Sequence, residues 1–220
     1  MPAGEVVDHL VFRLAMLIVA GIIIEFLHHG NVSQFLAARE LQRRAMTDSL
    51  TGLPNRRAML GKLRAAQSRA VRHGHGYAVI MADLDHFKQV NDTHGHDVGD
   101  QGLEELGRRL QQSVRLEDHL ARWGGEEFLL LIQDADQQVA LAIAKKLRAA
   151  VADTPFATSA GALPITISLG LALRGADRHF EPVCSRADKA LYLAKQNGRN
   201  RTEAITGAGA IPSRQVVEGV

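Results

Sequence analysis

Apolar and polar positions divide this chain into a hydrophobic N-terminal stretch and a longer region where short apolar runs alternate with helix-period patterns. Helical spacing predicts helices over 55–72, 98–115, 136–151 and 182–196; Val139, Ile143, Leu147 and Val151, for example, recur every four residues. Strand-like runs fall at 77–83, 119–123, 127–133 and 164–173. Tyr77 to Ala82 is unbroken in its apolar character, the mark of a strand buried on both faces. His73-Gly74-His75-Gly76 reads as a loop, and residues 207–220, with their glycines and Pro212, are expected to be a disordered tail. Strands alternating with helices, with a hairpin at Gly124-Gly125, predict an α/β sandwich.

The N-terminal stretch follows a different rule. Leu14 to Ile24 is apolar on every side of a helix, so it is no surface amphipath. Extended to Leu10 and Leu27 it reaches 18 residues, broken only by Arg13 and Glu25 near its ends. That is the short edge of the roughly 17–25 residues that span a bilayer. Glu5 and Asp8 precede it while Arg39, Arg43 and Arg44 follow, an asymmetry that puts the C-terminal side in the cytoplasm. An acidic leading segment argues against a cleaved signal peptide. The pattern favours an anchor at residues 10–27 in an inner membrane, against a helix buried in a dimer or on a partner. Residues 1–32 are thus a hydrophobic helix and 33–47, with Phe35, Leu36 and Leu41 among arginines, a helical connector.

Composition removes several function classes. At 220 residues there is room for one ordinary domain and extras, but not for an added phosphodiesterase or receiver module. A net charge of +2 offers no surface for nucleic acid. Cys184 is the sole cysteine, which excludes an internal disulfide and suits a small buried position on a helix.

Two acidic clusters carry the chemistry. In Arg122-Trp123-Gly124-Gly125-Glu126-Glu127-Phe128, two glycines precede two carboxylates and an apolar strand. Glycine permits positive φ and close approach of a bulky ligand; adjacent carboxylates are hard oxygen ligands suited to Mg²⁺. In Val79-Ile80-Met81-Ala82-Asp83-Leu84-Asp85 the buried strand ends on Asp83, where open α/β sheets place ligands. Alternation sets Leu84 on the opposite side from Asp83 and Asp85. Asp85 also reads as a cap or turn former, as do Asp92 and Asp97. His94 and His96 lack a third ligand at zinc spacing.

These motifs, together with Asp48-Ser49-Leu50-Thr51-Gly52-Leu53-Pro54-Asn55-Arg56-Arg57, Asn91-Asp92-Thr93-His94-Gly95-His96-Asp97-Val98-Gly99-Asp100 and Ala194-Lys195-Gln196-Asn197-Gly198-Arg199-Asn200, resemble the GGDEF family of diguanylate cyclases in its GGEEF variant. The resemblance runs from Asp48 to about Thr202 and sets the domain at 48–206. It implies the palm-like nucleotidyl-cyclase fold, a central mainly antiparallel sheet flanked by helices. It also implies condensation of two GTP molecules into cyclic di-GMP and two pyrophosphates, by a homodimer with Mg²⁺ or Mn²⁺, two per active site.

Residue by residue, the resemblance implies metal binding by Asp83, Glu126, Glu127 and the main-chain carbonyl of Leu84, with Glu126 as candidate base. It implies guanine reading by Asn91 and Asp100, which suit guanine's N–H donors and disfavour ATP. His96 matches a substrate contact within the same loop. Main-chain groups at Phe87 and Lys88 suit the β- and γ-phosphates at a helix start, and the Gly124-Gly125 turn lies against the nucleotide. Lys195 and Arg199, four apart on one helix face, match triphosphate contacts. Arg115 and Asp118 match the Arg-x-x-Asp site where the product inhibits; their bland alternative is a helix-end ion pair. The other functional class is a silent GGDEF-like module that binds GTP or cyclic di-GMP and regulates a partner. Retention of Asp83, both glycines and both glutamates favours the enzyme. The short N-terminus reads as the remnant of a longer sensor.

Overall fold

A computed structural model of the chain describes Met16, residues 46–206 and residues 209–211. The anchor reading of 10–27, apart from Met16, and the connector up to residue 45 lie outside the described residues. Among the described residues, no helix is long and apolar enough to cross a membrane.

The elements run α1 (Arg56–His73), β1 (Tyr77–Leu84), α2 (Phe87–His94), α3 (His96–Ser113), β2 (His119–Arg122), β3 (Glu127–Gln133) and α4 (Gln137–Ala152). A small hairpin of β4 (Phe156–Thr158) and β5 (Gly161–Leu163) follows. Then come β6 (Ile167–Leu173), α5 (Glu181–Gln196), β7 (Thr202–Thr206) and β8 (Gly209–Ile211). Helix starts obey local chemistry: the Asn55 side chain accepts from the Ala58 N–H, and Asp136 accepts from the Val139 N–H at 2.8 Å.

Six strands form one sheet in the order β2-β3-β1-β6-β7-β8, antiparallel throughout except for the parallel β6–β7 pair. Helix α5 supplies the crossover that a parallel pair requires. The expected mainly antiparallel sheet flanked by helices is present. One part of the expected tail differs: Gly209–Ile211 pairs with β7 as an edge strand, Ala204 facing Ile211. Backbone pairing here overrides the local breakers, and the rest of 207–220 lies outside the described residues.

β1 is central and fully buried, which explains its unbroken apolar run. Ala78, Ile80, Ala82 and Leu84 face the core built with α3 and α4; Tyr77, Val79 and Met81 face the core built with α1 and α5. Asp83 continues the second row. Its face is therefore set by strand periodicity.

The approach of α5 to the sheet depends on a missing side chain. A Cβ at Gly170 on β6 would stand 2.1 Å from the Ala187 carbonyl oxygen and 2.2 Å from the Leu191 nitrogen. Both obstacles are backbone, so neither can swing aside. Gly170→Ala is expected to destabilise the domain by about 3 kcal/mol through this overpacking, read as a lower urea midpoint. An unchanged midpoint would mean that α5 does not ride this close to β6.

Candidate functional site

Antiparallel pairing of β1 with β3 sets Asp83 opposite Glu127. Both lie on the α1/α5 side, continuing the rows of Val79 and Met81 and of Leu131 and Leu129. α5 brings Lys195, one residue from its C-terminal end, across this pair: Nζ lies 2.8 Å from Asp83 Oδ2. Asp83 is only 3% exposed, and its other oxygen, Oδ1, is buried with no hydrogen-bond partner.

Burial pushes the Asp83 carboxyl up to about 6, with the charges of Glu126 and Glu127 adding to the rise and Lys195 opposing it. Glu126 is also raised by burial, with Lys195 opposing and Glu127 adding. The elevated value fixes a sign: Asp83 contributes most to stability below its ordinary value near 3.9 and loses that contribution as pH rises through about 6. Among the described residues no three His, Cys, Asp or Glu side chains form a ready-made cation cage. The orphaned Oδ1 and the mutual repulsion of three carboxylates nevertheless fit a hard cation.

The glycine turn joins β2 to β3. Trp123 N–H donates to the Glu127 carbonyl at 2.8 Å, and Gly124 N–H reaches the same oxygen at 3.3 Å. Neither Gly124 nor Gly125 has positive φ, contrary to the expected use of glycine here. The space above Gly124 is taken by Glu127 instead: a Cβ would lie 2.9 Å from Glu127 Oε2, the movable end of that side chain. Arg122 secures the turn by donating to the Gly125 carbonyl from Nη2 at 2.7 Å and Nε at 3.1 Å. Its Nη1 donates to both oxygens of Asp48, at 3.0 and 3.2 Å, and Asp48 also accepts from Thr51 N–H and Oγ1. Sequence reading missed Arg122, because its partner Asp48 lies 74 positions away.

Asp85 is not a simple helix cap. It is buried and accepts from Ser168 Oγ at 2.6 Å, Thr166 Oγ1 at 2.7 Å and Asn200 N–H at 3.0 Å. It thereby ties the end of β1 to β6 and to the turn after α5. In that turn Gly198, Arg199 and Asn200 all take positive φ, and α5 ends at Gln196. Lys195 and Arg199 therefore do not share a helix face, which corrects the four-apart reading. Arg199 is exposed.

The stretch Asn91 to Asp100 is not one loop. α2 carries Asn91, Gly95 breaks the chain at φ 86, and His96 and Asp100 belong to the first turns of α3, both exposed. Asn91 Oδ1 is buried without a partner, and a Cβ at Gly99 would meet it at 1.9 Å. Phe87, the first residue of α2, is buried against the same point, whereas Lys88 is exposed.

Arg115 and Asp118 stand apart from these residues. Asp118 Oδ1 accepts from Gln133 N–H at the far end of β3 from Glu127, a separation of about 20 Å at strand rise. No ion pair joins Arg115 to Asp118 among the described residues: Arg115 is exposed, and Asp118 Oδ2 is buried without a partner. Burial raises the Asp118 carboxyl, with Glu117 adding. Both residues line a cleft of about 430 Å³ with Pro54, Lys62, Leu116 and His119.

Comparison with known proteins supplies the wider frame. A family model described as "Diguanylate cyclase, GGDEF domain" matches residues 45–201. The response regulator PleD of Caulobacter vibrioides is 42% identical over 169 residues, which are 76% of this chain and 37% of PleD. The chain thus spans less than half the length of this curated relative. The coiled coil and GGDEF domain of DgcB from Caulobacter crescentus, solved in complex with c-di-GMP, superposes with a TM-score of 0.75 at 30% identity, covering 82% of this chain and 98% of that one. The active GGEEF domain of a diguanylate cyclase from Vibrio cholerae gives a TM-score of 0.65 at 34% identity, over 69% of this chain and 97% of that one.

Proposed function

The chain belongs to the GGDEF family of diguanylate cyclase domains, and on that footing we propose that it condenses two GTP molecules into cyclic di-GMP. Each ribose 3′-oxygen bonds to the α-phosphorus of the other nucleotide as that phosphorus releases pyrophosphate. The observation that carries this reading is the convergence of a buried, half-satisfied Asp83 with Glu126, Glu127 and Lys195 at the ends of two central strands.

Asp83, Glu126, Glu127 and the Leu84 carbonyl hold two Mg²⁺ or Mn²⁺ ions. Bound cations supply neutralisation of phosphate charge and a more acidic 3′-hydroxyl. Glu126, with its affinity for a proton raised, is suited to accept the proton from that hydroxyl. Asn91 and Asp100 read guanine, and the unpartnered Asn91 Oδ1 supports a missing donor there. His96 contacts the substrate. Main-chain N–H groups at Phe87 and Lys88, at the unsatisfied start of α2, hold the β- and γ-phosphates, with Lys195 and Arg199 beside them. Gly124 and Gly125 keep side chains away from the nucleotide. The Vibrio cholerae domain supports an active enzyme over a silent module, since it carries glutamate at the same motif position.

One domain holds one GTP, so the symmetric product requires two domains facing each other. Residues 10–27, as inner-membrane anchor or dimer helix, raise the local concentration of domains, with the catalytic part in the cytoplasm. Arg115 and Asp118 bind cyclic di-GMP as inhibitor, the guanidinium stacking on a base or forking onto phosphate. The unpartnered Asp118 Oδ2 and the adjoining cleft support this, as does the c-di-GMP complex of DgcB.

Purified protein given GTP and Mg²⁺ is expected to yield cyclic di-GMP and pyrophosphate by chromatography, with specific activity that climbs with protein concentration. Asp83→Asn keeps the shape and removes the charge, so turnover should fall more than about a hundredfold. Absence of product from the parent protein, or near-normal turnover by Asp83→Asn, would overturn the reading. For the second site, Arg115→Ala should leave the initial rate nearly unchanged, keep progress curves linear for longer and weaken cyclic di-GMP binding. Unchanged curvature and affinity would reduce Arg115 to a surface arginine.

A further inference from the structure

We propose that Lys195 is an internal counterion that occupies the divalent cation's place against Asp83 and must leave it when the cation binds, becoming free for the substrate's phosphates. The proposal rests on the cyclase reading for the identity of the phosphate ligand, but its first half concerns the cation alone.

Its backbone fixes where Lys195 starts. α5 is clamped to β6 at Gly170, and Ala194, next to Lys195, is fully buried. The helix therefore presents Lys195 at one place, and only the side chain can travel. That side chain is 34% exposed, while the Asp83 side chain is 4% exposed. The lysine thus has an open side to swing toward, and the aspartate has none. A lysine ammonium is a point charge on a flexible stem, which suits such a transfer better than a rigid guanidinium fork.

Charge makes the arrangement provisional. Asp83, Glu126 and Glu127 are three carboxylates acting on one another, and Lys195 is the cation acting on Asp83 and Glu126. One ammonium against three carboxylates leaves the cluster short of positive charge. It also satisfies only Asp83 Oδ2, leaving Oδ1 buried without a partner. A divalent cation bound at Asp83 supplies what the ammonium cannot, and the two compete for one carboxylate.

Displacement then couples the two ligands. Cation binding releases Lys195 to the open side, where a triphosphate can use it; a triphosphate that holds Lys195 clears Asp83 for the cation. By linkage each favours the other. Either ligand alone binds less well than the pair.

The test measures Mn²⁺ binding by electron paramagnetic resonance without nucleotide, in the parent chain, Lys195→Met and Lys195→Arg. Losing a competing ion pair whose aspartate is buried and whose lysine is a third exposed should tighten Mn²⁺ about tenfold in Lys195→Met, whereas Lys195→Arg, which keeps the charge, should stay within about twofold of the parent. In nitrogen-15 spectra of lysine-labelled parent protein, the Lys195 ammonium signal should shift on saturation with Mg²⁺. Mn²⁺ affinity no tighter in Lys195→Met, equal tightening in Lys195→Arg, or an ammonium signal that Mg²⁺ leaves in place would each overturn the proposal. None of these readouts needs product formation. A protein that makes no cyclic di-GMP yet shows the tightening would fail the cyclase reading and keep the counterion.

Discussion

Pairing Asp83 with Glu127 across the middle of an antiparallel sheet places like charges side by side at the ends of two buried strands. The register is set by the apolar rows behind them, since a slip of one residue would turn every side chain to the other face. The same rows that build the core therefore force the carboxylates together. Burial and the neighbouring carboxylates raise the affinity of Asp83 and Glu126 for protons, and a positive charge must stand nearby for them to ionise. α5 answers this with Lys195, and it reaches the site because Gly170 lets the helix lie against β6.

The β2–β3 hairpin links this centre to the rest of the domain. At one end the Gly124-Gly125 turn is held by Arg122, which is itself anchored on Asp48 in the segment that opens the domain. At the other end Asp118 is bonded to the last residue of β3, beside the cleft that includes Arg115. One ladder, from Arg122 facing Phe128 to His119 facing Leu131, separates the two. A ligand in the cleft and a nucleotide at the turn would thus meet opposite ends of a single hairpin.

Much of this was legible in the sequence, and what was not has identifiable causes. The apolar runs at 77–83 and 127–133 located β1 and β3 and put Asp83 at a strand end, because burial on both faces leaves a strong signal. The four helix-period stretches appear within a few residues of their expected limits. α2 was read only as a helix start because eight residues with one buried side chain give no periodicity. Arg199 lies beyond the helix because α5 ends at Gln196 and Gly198, Arg199 and Asn200 then take positive φ, a conformation that only Gly198 announces. Asp85 and Arg122 owe their roles to partners more than 70 positions away, Ser168 and Asp48, so no local pattern could assign them. The space that Gly124 leaves for Glu127 is likewise a property of the folded turn.

The account turns on Asp83 being held, in the absence of a divalent cation, as a buried carboxylate short of positive charge. Carbon-13 NMR of the aspartate carboxyls, with Asp83→Asn to identify the resonance, measures this directly in cation-free protein. The account requires a midpoint near 6, moving down when Mg²⁺ is added. A midpoint at or below the ordinary value near 3.9, indifferent to Mg²⁺, would show that Lys195 already satisfies Asp83 and that the site is not built around a missing cation.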